Sequence, residues 1–336
     1  MTMTSAPDST TDRVDRRLSV APMMECTDRH FRYLVRLLSR RTLLYTEMVH
    51  ANAVIHGDRE RLLDFDPLEG PLAIQLGGSE PGELGRAAAI AAEWGYDEVN
   101  LNVGCPSDRV KSGRFGACLM AEPGRVADCV AAMREAGPLP VTVKTRIGID
   151  DMDGYDVLAG FVERVAAAGC KSFAVHARKA WLKGLSPKAN REVPPLRHDR
   201  VFRLKRDFPH LEVVINGGVR SLAEAATLLE SVDGVMIGRE AYANPHMLAA
   251  ADGMIFGDDR PSPSRQDVLH AYLPYVRRRL AEGVRLQHIS RHLLGLFSGM
   301  PGARRWRRHL SENAWREDAP AELLVEHLPM QDSVAA

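Results

Sequence analysis

Short apolar runs recur along the chain, and most are followed by a longer stretch whose apolar residues repeat with a helical period. Residues 18–21 form the first run, which stops at Pro22-Met23-Met24. Thr27 or Asp28 can then cap a helix to about Ser39, with Phe31, Leu34, Val35 and Leu38 on one face. Further runs lie at 42–45, 72–76, 99–102, 140–144, 172–176, 212–216 and 234–237, with helical stretches such as 84–93, 125–135 and 155–168 between them. The runs are near-continuously apolar and rich in Val and Ile, as parallel strands buried on both faces are. Eight strands in this rhythm predict an α/β fold, a (β/α)8 TIM barrel over residues 17–257.

After the eighth unit the pattern changes. A polar, Pro-rich junction at 258–264 leads into segments that read only as helix, at 265–281, 286–297, 303–313 and 322–327. They predict a small all-helical C-terminal domain over 262–330. Residues 1–16, rich in Thr, Ser and Asp, predict a disordered tail.

Composition narrows the function classes. With 336 residues, 45% of them hydrophobic, the chain can bury one large core and a smaller appendage. Its five cysteines are scattered and form no CxxC pair, which argues against a disulfide framework or a zinc site and for a reducing, cytoplasmic setting. No apolar run approaches the roughly 18 residues of a membrane span. Neither a metal nor an obligate protein partner is indicated. The formal net charge is zero, but the charge is uneven: residues 177–206 hold ten Lys or Arg against Glu192 and Asp199, and residues 261–310 hold ten Arg against Asp267 and Glu282. Any one such run is ordinarily a solvated face. Together, one on the loop after strand six and one on the helical domain, they point to RNA.

Candidate chemistry gathers where apolar runs give way to loops. Gln75, Asn102, Lys144, His176 and Asn216 close strands three to seven, and the barrel turns those ends toward a common mouth. Cys105 follows strand four between Gly104 and Pro106, in a loop with no apolar period, which favours a chemical role over that of a small buried hydrophobe; Cys118 reads as structural. Asn216-Gly217-Gly218 and Gly238-Arg239 supply backbone N–H groups and a guanidinium where barrels commonly hold a phosphate. With Lys144 facing a group that gains negative charge, the ligand expected is a phosphorylated, electron-accepting cofactor such as a flavin.

These residues carry a resemblance. Ala21-Pro22-Met23-Met24, Tyr45-Thr46-Glu47-Met48, Gln75-Leu76-Gly77-Gly78, the run Asn100-Leu101-Asn102-Val103-Gly104-Cys105-Pro106-Ser107, Val143-Lys144-Thr145-Arg146-Ile147-Gly148, Val175-His176-Ala177-Arg178 and Asn216-Gly217-Gly218 together resemble the tRNA-dihydrouridine synthases. The stretch from His176-Ala177-Arg178-Lys179 through Leu185-Ser186-Pro187-Lys188-Ala189-Asn190-Arg191 to Pro194-Pro195-Leu196-Arg197 resembles their A subfamily, which modifies D-loop uridines 20 and 20a. The resemblance implies FMN, with Pro22, Met23 and Met24 at the ring, Gln75 and Lys144 on its pyrimidine edge, His176 beside it, and Asn216, Gly217, Gly218, Gly238 and Arg239 on the phosphate. It further implies NADPH as reductant, hydride transfer to C6 of the uracil, and Cys105 as the acid that protonates C5. Such an acid must keep its proton, so no strongly electropositive partner is expected to depress the pKa of Cys105. The tRNA contacts expected are Asn102, Lys188, Arg191, Arg304 and Arg307. Two other classes stay open: an FMN barrel enzyme acting on a small molecule, and a pure RNA-binding module.

Overall fold

The computed structural model describes residues 14–107 and 113–329. Eight parallel strands form one sheet: β1 (Leu18–Val20), β2 (Leu44–His50), β3 (Leu72–Gly77), β4 (Glu98–Val103), β5 (Val141–Arg146), β6 (Ser172–His176), β7 (Glu212–Asn216) and β8 (Gly234–Ile237). Their order runs from β1 through β8, β7, β6, β5, β4 and β3 to β2. The two ends meet in a bridge between Ser19 and Leu43, where Val20 N–H donates to the Leu43 carbonyl at 2.9 Å and Leu43 N–H to the Leu18 carbonyl at 3.1 Å. That bridge closes the expected TIM barrel.

The helices form where the apolar stripe and the caps agree. Asp28 accepts from the backbone N–H of His30 and Phe31 and opens the helix Arg29–Leu38, which buries Phe31, Leu34, Val35 and Leu38. Pro81 and Pro123 each open a helix of 13 residues, Pro81–Glu93 and Pro123–Glu135, at the position where a missing N–H costs nothing. Outward strand residues such as Val99, Leu101 and Val103 pack against these helices in the main core. The inward residues form a separate small cluster of Ala21, Leu43, Tyr45, Ala73, Ala174, Val214 and Met236.

Three boundaries differ from expectation. β2 continues past Tyr45 to His50, through a register shift, because Thr46 Oγ1 accepts the Gln75 N–H at 3.1 Å and polar side chains there still serve the sheet. The helix expected over 286–297 stops at Ser290 and continues as turns. A Cβ on Gly295 would stand 2.5 Å from the Ala243 carbonyl oxygen, so the turn segment lies directly on the backbone after β8. The last expected helix is a 3-10 turn, Ala321–Val325, whereas Arg265–Ala281 and Ala303–Asn313 match the sequence pattern.

The tail is also shorter than its composition suggests. Residues 1–13 lie outside the described residues, but Arg16, assigned to the tail, pairs with Glu98 at 2.7 Å and Glu212 at 3.0 Å at the starts of β4 and β7. It therefore belongs to the base of the barrel. Among the described residues no helix is long and apolar enough to cross a membrane.

The C-terminal helices pack on the barrel through aromatic and polar contacts. Tyr272 donates to the His30 carbonyl at 2.8 Å, Tyr275 Oη meets His30 Nδ1 at 2.8 Å, and Asp28 takes Arg291 at 2.9 Å and His292 at 2.8 Å. Trp306 is fully buried, edge-on to Phe297 at 4.8 Å, with Nε1–H donating to the Leu324 carbonyl at 3.0 Å. Trp306→Ala should therefore cost about 3–5 kcal/mol of stability. A urea unfolding midpoint little changed from wild type would show that this side chain does not hold the layer together.

Candidate active site

The site is built on the C-terminal ends of the strands, where β4 positions the thiol. Its sequence Glu-Val-Asn-Leu-Asn-Val alternates, so Glu98, Asn100 and Asn102 fall on one face with period two. They point into the barrel and bond in a ladder. Arg16 holds Glu98; Tyr45 and Thr142 donate to Glu98; Asn100 Nδ2 donates to Thr142 at 2.8 Å; Gln75 Nε2 donates to Asn100 at 2.8 Å; Asn102 Nδ2 donates to Gln75 at 2.7 Å. At the top, Asn102 Oδ1 accepts from the N–H of Gly104 at 3.1 Å and of Cys105 at 3.0 Å. Asn102, expected as a tRNA contact, is thus 8% exposed and shapes the loop that displays the thiol. Cys105 is half-buried, with Sγ 3.5 Å from Ser107 Oγ and its carbonyl accepting from Ala117 N–H at 2.9 Å. Cys118 Sγ lies 3.1 Å from the Phe115 carbonyl, consistent with a structural role.

Arg146 was missed by the sequence reading as a site residue. It lies on β5, is 4% exposed, and donates from Nε to the Gly104 carbonyl at 2.8 Å and from Nη1 to the Lys179 and Asn190 carbonyls, both at 3.1 Å. Asn190, also unremarked and fully buried, accepts from Trp181 N–H at 2.7 Å and donates to the carbonyls of Trp181 at 2.9 Å and Leu185 at 3.2 Å. One guanidinium therefore links the Cys105 loop to the loop after β6. The available signal was an Arg two residues beyond Lys144, on the same face of the strand.

Positive charge dominates the mouth. Lys144 Nζ donates to Asn216 Oδ1 at 3.1 Å, and Asn216 Nδ2 donates to the Met236 carbonyl at 2.8 Å. Burial, then the charge of Arg146, lowers the Lys144 pKa to about 8. Burial lowers Arg146 to about 10, with Arg191 and Arg178 adding to the effect, and drives His176 well below its ordinary value with help from Arg146 and Lys144. Arg146 also reaches the loop that carries the thiol, through the Gly104 carbonyl. Buried cationic groups of this kind suit an electron-rich or anionic ligand.

The remaining expected cofactor residues surround this cluster. Thr27 closes the turn after β1 by accepting from Met23 N–H at 3.0 Å, leaving Pro22 and Met23 half-buried and Met24 exposed. Gly238 stands beside it, since a Cβ there would lie 3.8 Å from Met23 Sδ. Gly217 and Gly218 have φ of 112° and 84°, and a Cβ would meet His176 at 2.7 Å or Leu196 at 2.5 Å, so both conformation and space require glycine. Among the described residues no acceptor takes the N–H of either glycine. Arg239 is exposed and pairs with Glu192 at 2.9 Å. Lys188, Arg191 and Arg304 are exposed and Arg307 is half-buried; Lys188 and Arg191 sit on the loop after β6, Arg304 and Arg307 on the helix Ala303–Asn313.

A parallel eight-stranded barrel with a thiol and buried cations at its mouth defines an enzyme-like site. The chain belongs to the dihydrouridine synthase family, whose model matches residues 19–332 under the description Dihydrouridine synthase (Dus). It is 58% identical over 311 residues to the tRNA-dihydrouridine(20/20a) synthase of Shewanella oneidensis, covering 93% of this chain and 92% of that protein. The proteins of the same name from Xanthomonas axonopodis pv. citri and Synechocystis are each 57% identical, covering 97% of both chains and 94% of both chains respectively. Among solved structures, a 2-naphthoyl-CoA reductase complex shares the fold with a TM-score of 0.54 at 10% identity, over 70% of this chain and 49% of that one.

The lowered Lys144 pKa has a consequence for stability. Its ordinary value is 10.5 and its value here about 8, so between these limits the unfolded chain binds more protons than the folded one. Stability should rise with pH across that window. Lys144→Met removes the group, and the difference in unfolding free energy between variant and wild type should shrink as pH passes from about 8 to 10.5. Parallel pH profiles in urea titrations would contradict the buried charge.

Proposed function

We propose that the protein reduces the C5–C6 bond of uridine to 5,6-dihydrouridine in the D-loop of tRNA, at positions 20 and 20a, with FMN as cofactor and NADPH as reductant. The observation that carries this reading is the buried cluster of Lys144, Arg146 and His176 at the barrel mouth, with Arg146 bonded to the loop that displays Cys105. The residues fit a flavin: unpartnered N–H groups at Gly217 and Gly218, with Gly238 and Arg239 nearby, suit its phosphate, and Lys144 with Gln75 suits the pyrimidine edge. FMN, once reduced by NADPH, supplies the hydride taken up at C6.

The chain's own residues supply the rest. Cys105 holds the proton destined for C5, so hydride and proton together saturate the double bond. Arg146 holds the Cys105 loop in place through the Gly104 carbonyl. A stacked uracil is out of reach, so the base must be flipped into the mouth. Lys188 and Arg191 on the barrel, and Arg304 and Arg307 on the helical domain of residues 262–330, are the proposed grips on the phosphate backbone, which set register without reading bases. The remaining Asn102 amide hydrogen would be its contribution to the bound base. A setting in the cytoplasm follows from tRNA as substrate.

Cys105→Ala should leave bound flavin and its reduction by NADPH intact while dihydrouridine formation falls by about 10²–10⁴-fold. Undiminished turnover on unmodified tRNA would remove Cys105 from the reaction. A colourless protein that still binds tRNA would instead favour a binding module, and flavin reoxidation indifferent to tRNA would favour a small-molecule enzyme.

Removing Arg304 and Arg307 together should weaken tRNA binding and reduce the slope of log affinity against log salt by about one to two units. NADPH oxidation by the free enzyme should be unaffected. An unchanged slope in a folded double variant would move the grip elsewhere.

A further inference from the structure

Away from the barrel mouth, the C-terminal layer gathers three side chains that the proposed reaction does not use. We propose that His309, Glu326 and His327 form a binding site for one divalent transition-metal ion, with zinc as the natural occupant. Their ligand atoms all lie within 4.8 Å of one another. Ligands of a tetrahedral zinc, each about 2.0–2.2 Å from the ion, stand roughly 3.3–3.5 Å apart. His309 Nε2 and Glu326 Oε2, at 3.1 Å, already have close to that spacing.

The cluster is partly preorganised. His309 projects from the helix Ala303–Asn313 with its side chain 15% exposed, and its Nε2 is buried without a hydrogen-bond partner, since the nearby Glu326 oxygen lies outside bonding direction. A buried imidazole nitrogen left in this state is costly, and a metal ion would satisfy it. The His309 and His327 rings cross edge to face at 81° with centroids 4.8 Å apart, so their nitrogens can approach one point from two directions. Glu326 and His327 are adjacent in sequence, and the φ of 54° at His327 turns the chain so that both can address His309. Both are exposed and can close the remaining distance by side-chain rotation.

Two neighbours shape the affinity. Arg305 Nη2 lies 3.2 Å from His327 Nδ1; for His327 to ligate through Nε2, its proton must move to Nδ1 and Arg305 must withdraw, and the cation close by weakens binding. Asn313 Nδ2 lies 3.3 Å from His309 Nδ1; with Nε2 on the metal, the Asn313 amide must turn its oxygen to accept the Nδ1 proton. Three protein ligands leave a fourth position for water. The role is a staple: it would fasten the segment that leads to Pro329, which packs against Gly302, to the helix that carries Arg304 and Arg307.

The test uses untagged full-length protein stripped with a chelator, titrated with Zn²⁺ by calorimetry and with Co²⁺ by visible absorption. One ion per chain should bind, raise the melting temperature, and give cobalt d–d bands without thiolate charge transfer. His327→Gln, at an exposed side chain, should abolish saturable binding, and so should His309→Ala; if the latter does not fold, Glu326→Gln takes its place. Absence of saturable binding to wild type, binding unchanged in His327→Gln, or a thiolate-to-cobalt band would overturn the proposal.

Discussion

The buried carboxylate of Glu98 constrains the whole barrel. It is fully inaccessible at the start of β4, and a charge there is tolerable only because Arg16, Tyr45 and Thr142 converge on it. From that pair the Asn100, Gln75 and Asn102 amides carry hydrogen bonds up the barrel axis to the N–H of Cys105. Each amide depends on the next, since a buried polar group left unmade costs about 1–3 kcal/mol. Apolar side chains would fill the same space but would leave the Gly104 and Cys105 N–H groups without the acceptor that fixes the loop. The interior therefore trades some hydrophobic burial for a defined thiol position.

The fold and half of the site were legible because their signals are local. Val- and Ile-rich runs mark the strands, and Lys144, His176 and Asn216 stand where such a run meets polar residues, so the barrel turned a one-dimensional boundary into a shared mouth. Glu98 was not legible, since an acid at the start of a strand reads as surface until Arg16, 82 residues earlier, is folded against it. Arg146 failed for the same reason: its partners are backbone carbonyls 42, 33 and 44 residues away. The alternation in β4 was a local hint of inward polar residues, and a reading that emphasised continuous apolar runs passed over it.

The helical layer is fastened to the same loop that follows β1. Asp28 caps the helix Arg29–Leu38 with one oxygen and receives Arg291 and His292 with the other. Burial alone would raise its pKa, but the His292 hydrogen bond and charge lead a set of contacts that pull it well below the carboxylate range. A cap for one element is thus an anchor for another, which places the turn at Met23 under the control of the C-terminal layer. His30, on the next residue pair, is held largely neutral by burial and can accept the Tyr275 hydroxyl.

Charge pairing sorts the two basic blocks that sequence alone could not resolve. Arg277 pairs with Glu322, Arg278 with Asp66, Arg285 with Glu317 and Arg291 with Asp28, so these arginines are compensated within the fold. Arg239 likewise pairs with Glu192, which it would exchange for the proposed phosphate. Among the described residues no acid pairs with Lys188, Arg191, Arg304 or Arg307, although all four lie in the same blocks. A cation with an internal partner must break that pair before it can hold a phosphate, while an uncompensated one releases only solvent counterions. The overall neutral charge therefore coexists with uncompensated cations, Lys183, Arg206, Arg305 and Arg308 among them as well, and their division between the segment after β6 and the helix Ala303–Asn313 gives a polyanion two separate points of attachment, which a single basic patch would not.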